Sequence, residues 1–241
     1  MYQHFQHFQH ASAGSDSSFW GAFLGAFFAF VFGLVMFYFT KKREKFVRHR
    51  NALIKLERLL NEHADELLIA KIHADETKKV VEANAVTDYR FKTLKLDDEV
   101  LVDLSSIDMI NKYNLYTRSI SRLNQDFEAK NRALTRFEDA KLAGRVLAQE
   151  SVDYLARSFA EISSAIENRI DTQMLKLLAT VRIYLRKIGE RNPIIYGIFQ
   201  SNRDFTVTDE EIKAEIKKLN EGVEQLRAET RADFKKFGTS Q

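Results

Sequence analysis

Two short patterns around histidine residues are the places where this sequence could carry out chemistry. Arg58 and His63 are separated by four residues, and Arg43 and His49 by five. A histidine beside an arginine can exchange a proton with a ribose 2′-hydroxyl while the guanidinium steadies a phosphate, which is how RNA is cleaved. The tetrapeptide His-Ala-Asp-Glu occurs twice, beginning at His63 and at His73. His and Glu three residues apart share a helix face, as metal ligands do.

The spacing of Arg58 and His63 resembles the R-x4-H motif of HEPN-type ribonucleases, which are helical and sometimes form dimeric active sites. The resemblance implies that His63 acts as the acid and base and that Arg58 holds the phosphate. It covers only six residues. Leu59 stands where the motif carries a polar residue, and a chain with six His and many Arg matches so short a pattern by chance. A membrane-tethered ribonuclease is therefore the least favoured of the functions considered.

The sequence predicts no metal site, no cofactor and no catalytic residue. The two His-Ala-Asp-Glu copies lie ten residues apart, roughly 15 Å along a helix, so one chain cannot chelate one ion with both. His4, His7 and His10 recur in a Gln/Phe/His tract that could bind a transition metal, but we interpret it as a flexible tail. Cysteine is absent, which excludes disulfides, thiol nucleophiles and Cys-based zinc sites. Phosphate-binding loops and the common hydrolase motifs are also absent.

The composition favours an all-α fold. The 241 residues include one Pro and nine Gly, and 29% of them are charged. An all-β sandwich or barrel needs turn residues about every ten positions, which this chain does not have. Long helices remain as the elements that must position any functional residue.

A stretch of 21 residues, 19–39, carries no charged side chain. At about 1.5 Å per residue, a helix of this length spans roughly 30 Å, the thickness of the hydrocarbon core of a bilayer. Trp20 and Tyr38 lie near its ends, as interfacial aromatic residues do. A cleaved signal peptide is disfavoured, because no Lys or Arg precedes the stretch and no small-residue cleavage site follows it. We therefore predict a short extracytoplasmic tail, 1–18, and a transmembrane helix, 19–40.

Cationic residues are concentrated immediately after this stretch. Residues 41–50 contain six cations and one acid, a net charge of +5, whereas the whole chain carries +3 and the remainder therefore −2. This distribution disfavours a general nucleic-acid-binding protein. The positive-inside rule places the N-terminus outside and residues 41–241 in the cytoplasm, which predicts a cell (inner) membrane protein whose basic collar contacts anionic lipids. The basic collar consists of Lys41, Lys42, Arg43, Lys45, Arg48 and Arg50.

Small residues recur at every fourth position of the predicted span. Four-residue spacing keeps them on one side of a helix, where two backbones can approach closely. Because association in lipid depends on packing rather than on the hydrophobic effect, we expect the span to self-associate there and the protein to be a homo-oligomer. This small-residue strip consists of Gly21, Gly25, Ala29 and Gly33.

The rest of the chain predicts long amphipathic helices with short connections. In order, we expect a stalk helix that continues the span without a break (41–85), a helical hairpin or bundle (86–191), a loop (192–207) and a C-terminal amphipathic helix (208–238). The predicted fold class is thus a single N-terminal transmembrane helix that continues into a stalk, followed by a cytoplasmic helical bundle or coiled-coil domain.

Within the second unit we favour an antiparallel pair of helices, 106–143 and 145–191, that breaks at Gly144. Residues 98–104 fit a short helix capped by Asp97, but Val100, Val102 and Leu104 also alternate as in a strand.

Polar residues mark the helix ends and contacts of this region. Asn111, Asn114 and Asn124 lie on or beside the apolar stripe and are expected to fix the register between helices. Thr208 and Glu211 form a capping box for the last helix.

Three functions fit these features. The favoured one is a non-enzymatic, single-pass membrane protein that self-associates and scaffolds or binds a cytoplasmic partner. The alternative is a membrane-perturbing or pore-forming effector of the toxin or antiviral type, gated by its cytoplasmic domain. The absence of polar residues in 19–39 that would line a water-filled pore counts against this alternative. The tethered ribonuclease is third.

The charge asymmetry around the span predicts its orientation. A single Cys introduced at Ser12 should react with a membrane-impermeant maleimide in intact cells, and one at Ser240 should react only after the cells are opened. Because the natural chain has no cysteine, each variant carries one reactive thiol. The reverse labelling pattern would contradict the predicted orientation.

Overall fold

The computed structural model describes residues 15–189 and 207–238. The regular secondary structure within these ranges consists of helices, with no strand. A π-helical turn, Ile170–Met174, joins the fourth helix to the fifth. The predicted tail, 1–18, and the predicted loop, 192–207, lie mostly outside the described residues. The helices are α1 (Ser15–Glu82), α2 (Glu99–Asp103), α3 (Ile107–Leu142), α4 (Gln149–Arg169), α5 (Leu175–Gly189) and α6 (Asp209–Gly238).

Helix α1 is 68 residues long and combines the predicted span and the predicted stalk in one element. It is the one helix among the described residues that is long and apolar enough to cross a membrane. The continuity expected from the absence of Pro and Gly after Thr40 is therefore confirmed. Residues 19–38 are exposed, whereas the second half of α1 is central to the core, since Leu53, Leu56 and Leu60 are fully buried.

The non-helical residues 83–98, here called the return segment, bring the chain back along α1. Near the middle of this segment, Tyr89 stacks on His73 of α1, with ring centroids 3.6 Å apart. Beyond α2, the backbone amide of Ser105 donates to Nδ1 of His49 at 3.2 Å, much nearer the span. Helix α3 then runs away from the span, because Tyr116 contacts the middle of α1 at His63.

Helices α4 and α5 run antiparallel to α1, which is the principal neighbour of α4, and α5 packs on both α1 and α6. Hydroxyl Oγ of Ser163 donates to Asp75 at 2.6 Å, and Lys71 pairs with Glu167 at 2.6 Å. Nearer the span, Arg182 pairs with Glu57 at 2.9 Å. Helix α4 also contacts α3, but the expected pairing of these two helices is the smaller of its interfaces.

The π-helical turn compensates for an unequal spacing along this interface. From Lys71 back to Glu57 is 14 residues, but from Glu167 on to Arg182 is 15. A π-helical turn bonds residues five apart instead of four and so absorbs one extra residue. The buried side chains here are spaced by four three times running, which drifts around an α-helix but suits the wider turn: Ile162, Ile166, Ile170 and Met174.

Two asparagines on α3 hold the backbone of the return segment. The side-chain amide of Asn131 accepts from the N–H of Phe91 and donates to its carbonyl, both at 2.8 Å. Asn124 pairs with Leu94 in the same way, both at 2.9 Å. Each amide therefore satisfies one residue's N–H and C=O, as a neighbouring strand would. Asn124 was predicted to fix the register between two helices. This prediction was wrong, because Asn124 binds a non-helical segment. We call Asn124 and Asn131 together the asparagine clamp.

The spacing of the asparagine clamp determines the shape of the segment it holds. Asn124 and Asn131 are seven residues apart, which is about 10.5 Å along a helix. Phe91 and Leu94 are three residues apart, and three residues cover about 10 Å only when nearly extended. The return segment is thus extended and antiparallel to α3. The Phe91 ring stacks on Phe127 of α3, with centroids 4.8 Å apart, and so joins the core.

Helix ends follow local rules that the sequence carries. Asn84 (φ 56°) and Gly144 (φ 69°) adopt left-handed backbone conformations just beyond α1 and α3, as in helix-terminating motifs. The expected break at Gly144 is therefore confirmed. Residues 99–103 are helical, so the strand alternative is wrong, and the Asp97 carboxylate accepts from the N–H of Glu99 at 3.0 Å. The capping box is also present: the N–H of Thr208 donates to Glu211 at 3.0 Å and Thr208 Oγ1 accepts from Glu211 N–H at 3.3 Å.

The hydrogen bonds of the asparagine clamp should contribute measurably to the free energy of unfolding. Asn124→Ala leaves the N–H and C=O of Leu94 without partners and should lower the free energy of unfolding by about 2–4 kcal/mol. Asn111→Ala, on the exposed face of the same helix, is the matched control and should change it by less than about 0.5 kcal/mol. Urea unfolding of the detergent-solubilised chain, followed by circular dichroism, measures both. Equal effects of the two substitutions would contradict the role of the clamp.

Candidate functional site

The small-residue strip lies on a bare face of α1. A Cβ built on Gly21, Gly25 or Gly33 would meet nothing within 4 Å outside its own helix. Ala29 is exposed in the same row. Among the described residues, therefore, no other element covers the strip, and its role in association stays a prediction.

The basic collar begins where the predicted span ends, and its first two cations turn back toward the span. Nζ of Lys41 lies 5.2 Å from the ring centroid of Phe37, and Nζ of Lys42 lies 4.8 Å from that of Tyr38. Farther along, Arg48 lies 3.8 Å from Glu44 in an exposed pair that contributes little to stability. Lysine side chains that fold back over aromatic rings at the end of an apolar helix are typical of residues that extend toward lipid headgroups. The remaining collar residues, Arg43, Lys45 and Arg50, are exposed.

His63 is a buried structural residue of the bundle. Its side chain is 2% exposed and connects three elements. Nε2 lies 2.8 Å from the Lys95 carbonyl, which can only accept, so this nitrogen carries the proton. Nδ1 then accepts from the Tyr116 hydroxyl at 2.7 Å. Burial lowers the pKa of His63, and the neutral ring satisfies both partners.

The arginine of the ribonuclease-like pattern points away from this histidine. Arg58 pairs with Glu62 at 2.9 Å, and its side chain is 83% exposed. The structure therefore does not bring Arg58 and His63 together around a site that RNA could enter. In the second pattern, His49 receives a hydrogen bond from the Ser105 amide. Arg43 is exposed.

The two His-Ala-Asp-Glu copies are engaged in the packing of α1 rather than in a metal cluster. Glu66 pairs with Lys92 at 2.8 Å, and Glu76 with Lys79 at 2.7 Å. His73 stacks on Tyr89. Throughout the described ranges, no three His, Asp or Glu side chains come together as metal ligands would. The histidines of the tail lie outside these ranges.

A basic groove between α3 and the α4–α5 helix is a feature that the sequence reasoning missed. It has a volume of about 720 Å³ and is formed by residues 112–122 on one side and 165–177 on the other. The π-helical turn contributes to its wall. A local signal existed, because Arg118 and Arg122 are four residues apart on the polar side of α3. Only the packing of two helices distant in sequence places Arg169 and Lys176 opposite them.

Comparison of the chain with protein-family models, curated protein sequences and solved structures gives no match.

Protonation of His63 should destabilise the bundle. Because folding lowers its pKa, the unfolded chain binds the proton more readily, and stability falls as the pH drops below about 6.5. At pH 7.5, His63→Ala should cost about 2–4 kcal/mol, since the Lys95 carbonyl and the Tyr116 hydroxyl lose their partner.

The stability difference between wild type and His63→Ala, measured as a function of pH, separates the ionisation of His63 from that of the other titratable groups. The gap in urea midpoint between wild type and His63→Ala should narrow from pH 7.5 to pH 5, because only the wild type loses the stability of the neutral ring. A gap that stays constant over this range would contradict the assignment of a buried, neutral His63.

Proposed function

We propose that this protein is a non-enzymatic membrane tether. In this proposal a single-pass anchor self-associates in the cell (inner) membrane and holds a helical body on the cytoplasmic side, where the body binds a protein partner. The proposal rests on one observation. Helix α1 continues without interruption from an apolar segment with exposed side chains into the centre of a packed bundle.

The continuity of α1 matters mechanically. No Pro or Gly lies between Thr40 and Glu82, so backbone hydrogen bonds run from the predicted span into the bundle. From Thr40 to Glu82 is 42 residues, roughly 60 Å at the helical rise. The helices that pack on α1 stiffen it along this length. The body is thereby held at a fixed orientation to the span, as a tether or scaffold requires.

The basic collar supports the proposed location and orientation. Six cations within ten residues lie next to the apolar segment, and the residues on its other side carry no Lys or Arg. Anionic headgroups on the cytoplasmic leaflet attract such a cluster by about 1 kcal/mol per residue. We therefore propose that the membrane lipids themselves are one partner of the chain.

An exposed apolar tip supports the proposal of a protein partner. At the end of the bundle farthest from the span, Leu142 is 82% exposed and Val146 is 99% exposed, and Tyr154 nearby is 74% exposed. Within the described bundle these are among the most exposed large apolar side chains. Side chains of this kind are frequent at protein–protein contacts.

The apolar segment supports a tether better than a pore. Between residues 19 and 39 there is no charged side chain and no Ser, Thr, Asn or Gln. A water-filled pore needs polar groups along its wall, because unsatisfied polar groups and water are costly in hydrocarbon. A strip of small residues instead provides a dry packing surface.

Disulfide cross-linking of the full chain tests the proposed self-association. Ala22 lies within the arc of the small-residue strip, and Phe27 lies on the opposite face, at about 100° per residue. The Ala22→Cys variant should form a disulfide dimer in membranes, and Phe27→Cys should not. Adding Gly25→Ile to Ala22→Cys should remove most of the dimer, because a branched side chain separates the backbones.

The same cysteine-free background provides the control and the contradicting outcomes. Adding Phe27→Ile to Ala22→Cys should leave the cross-link unchanged. Equal cross-linking from both faces would show that the strip is ordinary transmembrane composition. A detergent-solubilised protein with the mass of a single 28.0 kDa chain and nothing bound to it would contradict the tether proposal as a whole.

A further inference from the structure

The basic groove between α3 and the α4–α5 helix contains an excess of positive charge. Three cations on α3, Lys112, Arg118 and Arg122, face Arg169 and Lys176 across it, and none of the described lining residues is acidic. Lys112 pairs with Asp108 at 2.7 Å. Arg169 donates to the hydroxyl of Ser119 and to a backbone carbonyl, both neutral acceptors.

The remaining cations of the groove have no acidic partner in the part of the chain that the structure describes. Among the described ion pairs, none involves Arg118, Arg122 or Lys176, although pairs are frequent elsewhere in the bundle. Cations gathered in one concavity repel one another, and together they raise the positive electrostatic potential inside the groove. Such a groove attracts an anion, and guanidinium groups match phosphate oxygens in a two-pronged geometry.

The other lining groups narrow the class of anion. Asn168 and Gln173 carry amides that both donate and accept hydrogen bonds, as the edge of a nucleobase does. Leu115 and Leu177 add apolar surface. A volume of about 720 Å³ is within the range of small-molecule sites. Gln173 lies in the π-helical turn, an irregularity that is frequent at functional sites.

The position of the groove along α1 separates a soluble ligand from the lipids of the same membrane. Tyr116 lines the groove and bonds to His63, which is 23 residues beyond Thr40 on one continuous helix. That separation is roughly 35 Å at the helical rise, well beyond the depth of a headgroup layer. The groove is also a concavity between short stretches of two helices, whereas an RNA strand would follow a long basic stripe.

We propose that this groove binds a nucleoside polyphosphate. Arg118 and Arg122 hold the phosphates from α3, Lys176 adds charge from the opposite wall, and the amides of Asn168 and Gln173 contact the base. This site is independent of the proposed tether, because it needs neither self-association nor a particular orientation in the membrane.

The test uses the full-length protein in nanodiscs of uncharged lipid and measures binding by calorimetry. The probes are ATP, GTP, CTP and UTP, each tested separately, with inorganic triphosphate, adenosine, a single-stranded RNA and vesicles containing phosphatidylserine as comparisons. At least one nucleoside triphosphate should bind more tightly than inorganic triphosphate and adenosine. The double variant Arg118→Gln/Arg122→Gln should weaken that binding at least about tenfold.

A matched control exists on the same helix. Arg132 and Arg136 are also four residues apart on α3 but lie outside the groove. The double variant Arg132→Gln/Arg136→Gln removes the same charge and should leave binding within about twofold of wild type. If the first double variant does not fold, Lys176→Gln on the opposite wall is the second variant and should also weaken binding.

Several results would overturn the proposal. Inorganic triphosphate that binds as tightly as every nucleotide would remove the role of the base. Binding only to RNA or only to anionic vesicles would assign the groove to a different ligand. Equal losses in the two arginine double variants would show a general charge effect rather than a site. Absence of nucleotide binding at millimolar concentration would exclude the site.

Discussion

One uninterrupted helix determines the arrangement of the whole molecule. The first half of helix α1 is exposed and consists mainly of the apolar segment and the basic collar, and the second half is the centre of the bundle. Intrahelical hydrogen bonding satisfies its backbone along both parts, so a single element can join an apolar segment long enough to cross a membrane to a protein core. The return segment, α4 and α5 all pack against it. The directions of the elements that pack on α1 are therefore set by this helix.

The return segment shows how a helical bundle includes a chain that is not helical. An extended backbone between helices exposes N–H and C=O groups that need partners. Asn124 and Asn131 of α3 supply them at a spacing that an extended chain can match. His63 supplies another partner from α1 by donating to the Lys95 carbonyl. Residues with apparent catalytic or register-setting potential thus serve to satisfy the backbone of this segment.

The charged residues of the chain serve two different purposes. Along the α1–α4, α1–α5 and α5–α6 interfaces, acids and bases pair at the edges of the apolar contacts. The basic collar and the basic groove instead hold cations in excess of acids. The groove, at the level of His63, lies roughly 20 to 33 Å along α1 from the basic collar. A protein anchored through one site and liganded at the other would connect a soluble signal to a membrane-bound assembly, through a helix that has no flexible break.

The sequence by itself determined the helical class, the apolar segment, its continuity with the stalk, the break at Gly144 and the Thr208–Glu211 capping box. Each of these follows from local rules: residue periodicity, charge, and the hydrogen bonding of helix ends. The partners of Asn124, His63 and Arg182, the π-helical turn and the basic groove were decided only by the tertiary structure. They depend on which helices become neighbours, and many amphipathic helices can pair with one another at little difference in energy. Residues 112–122 and 165–177 form one groove because α1, rather than α3, is the principal neighbour of α4, which no local pattern specifies.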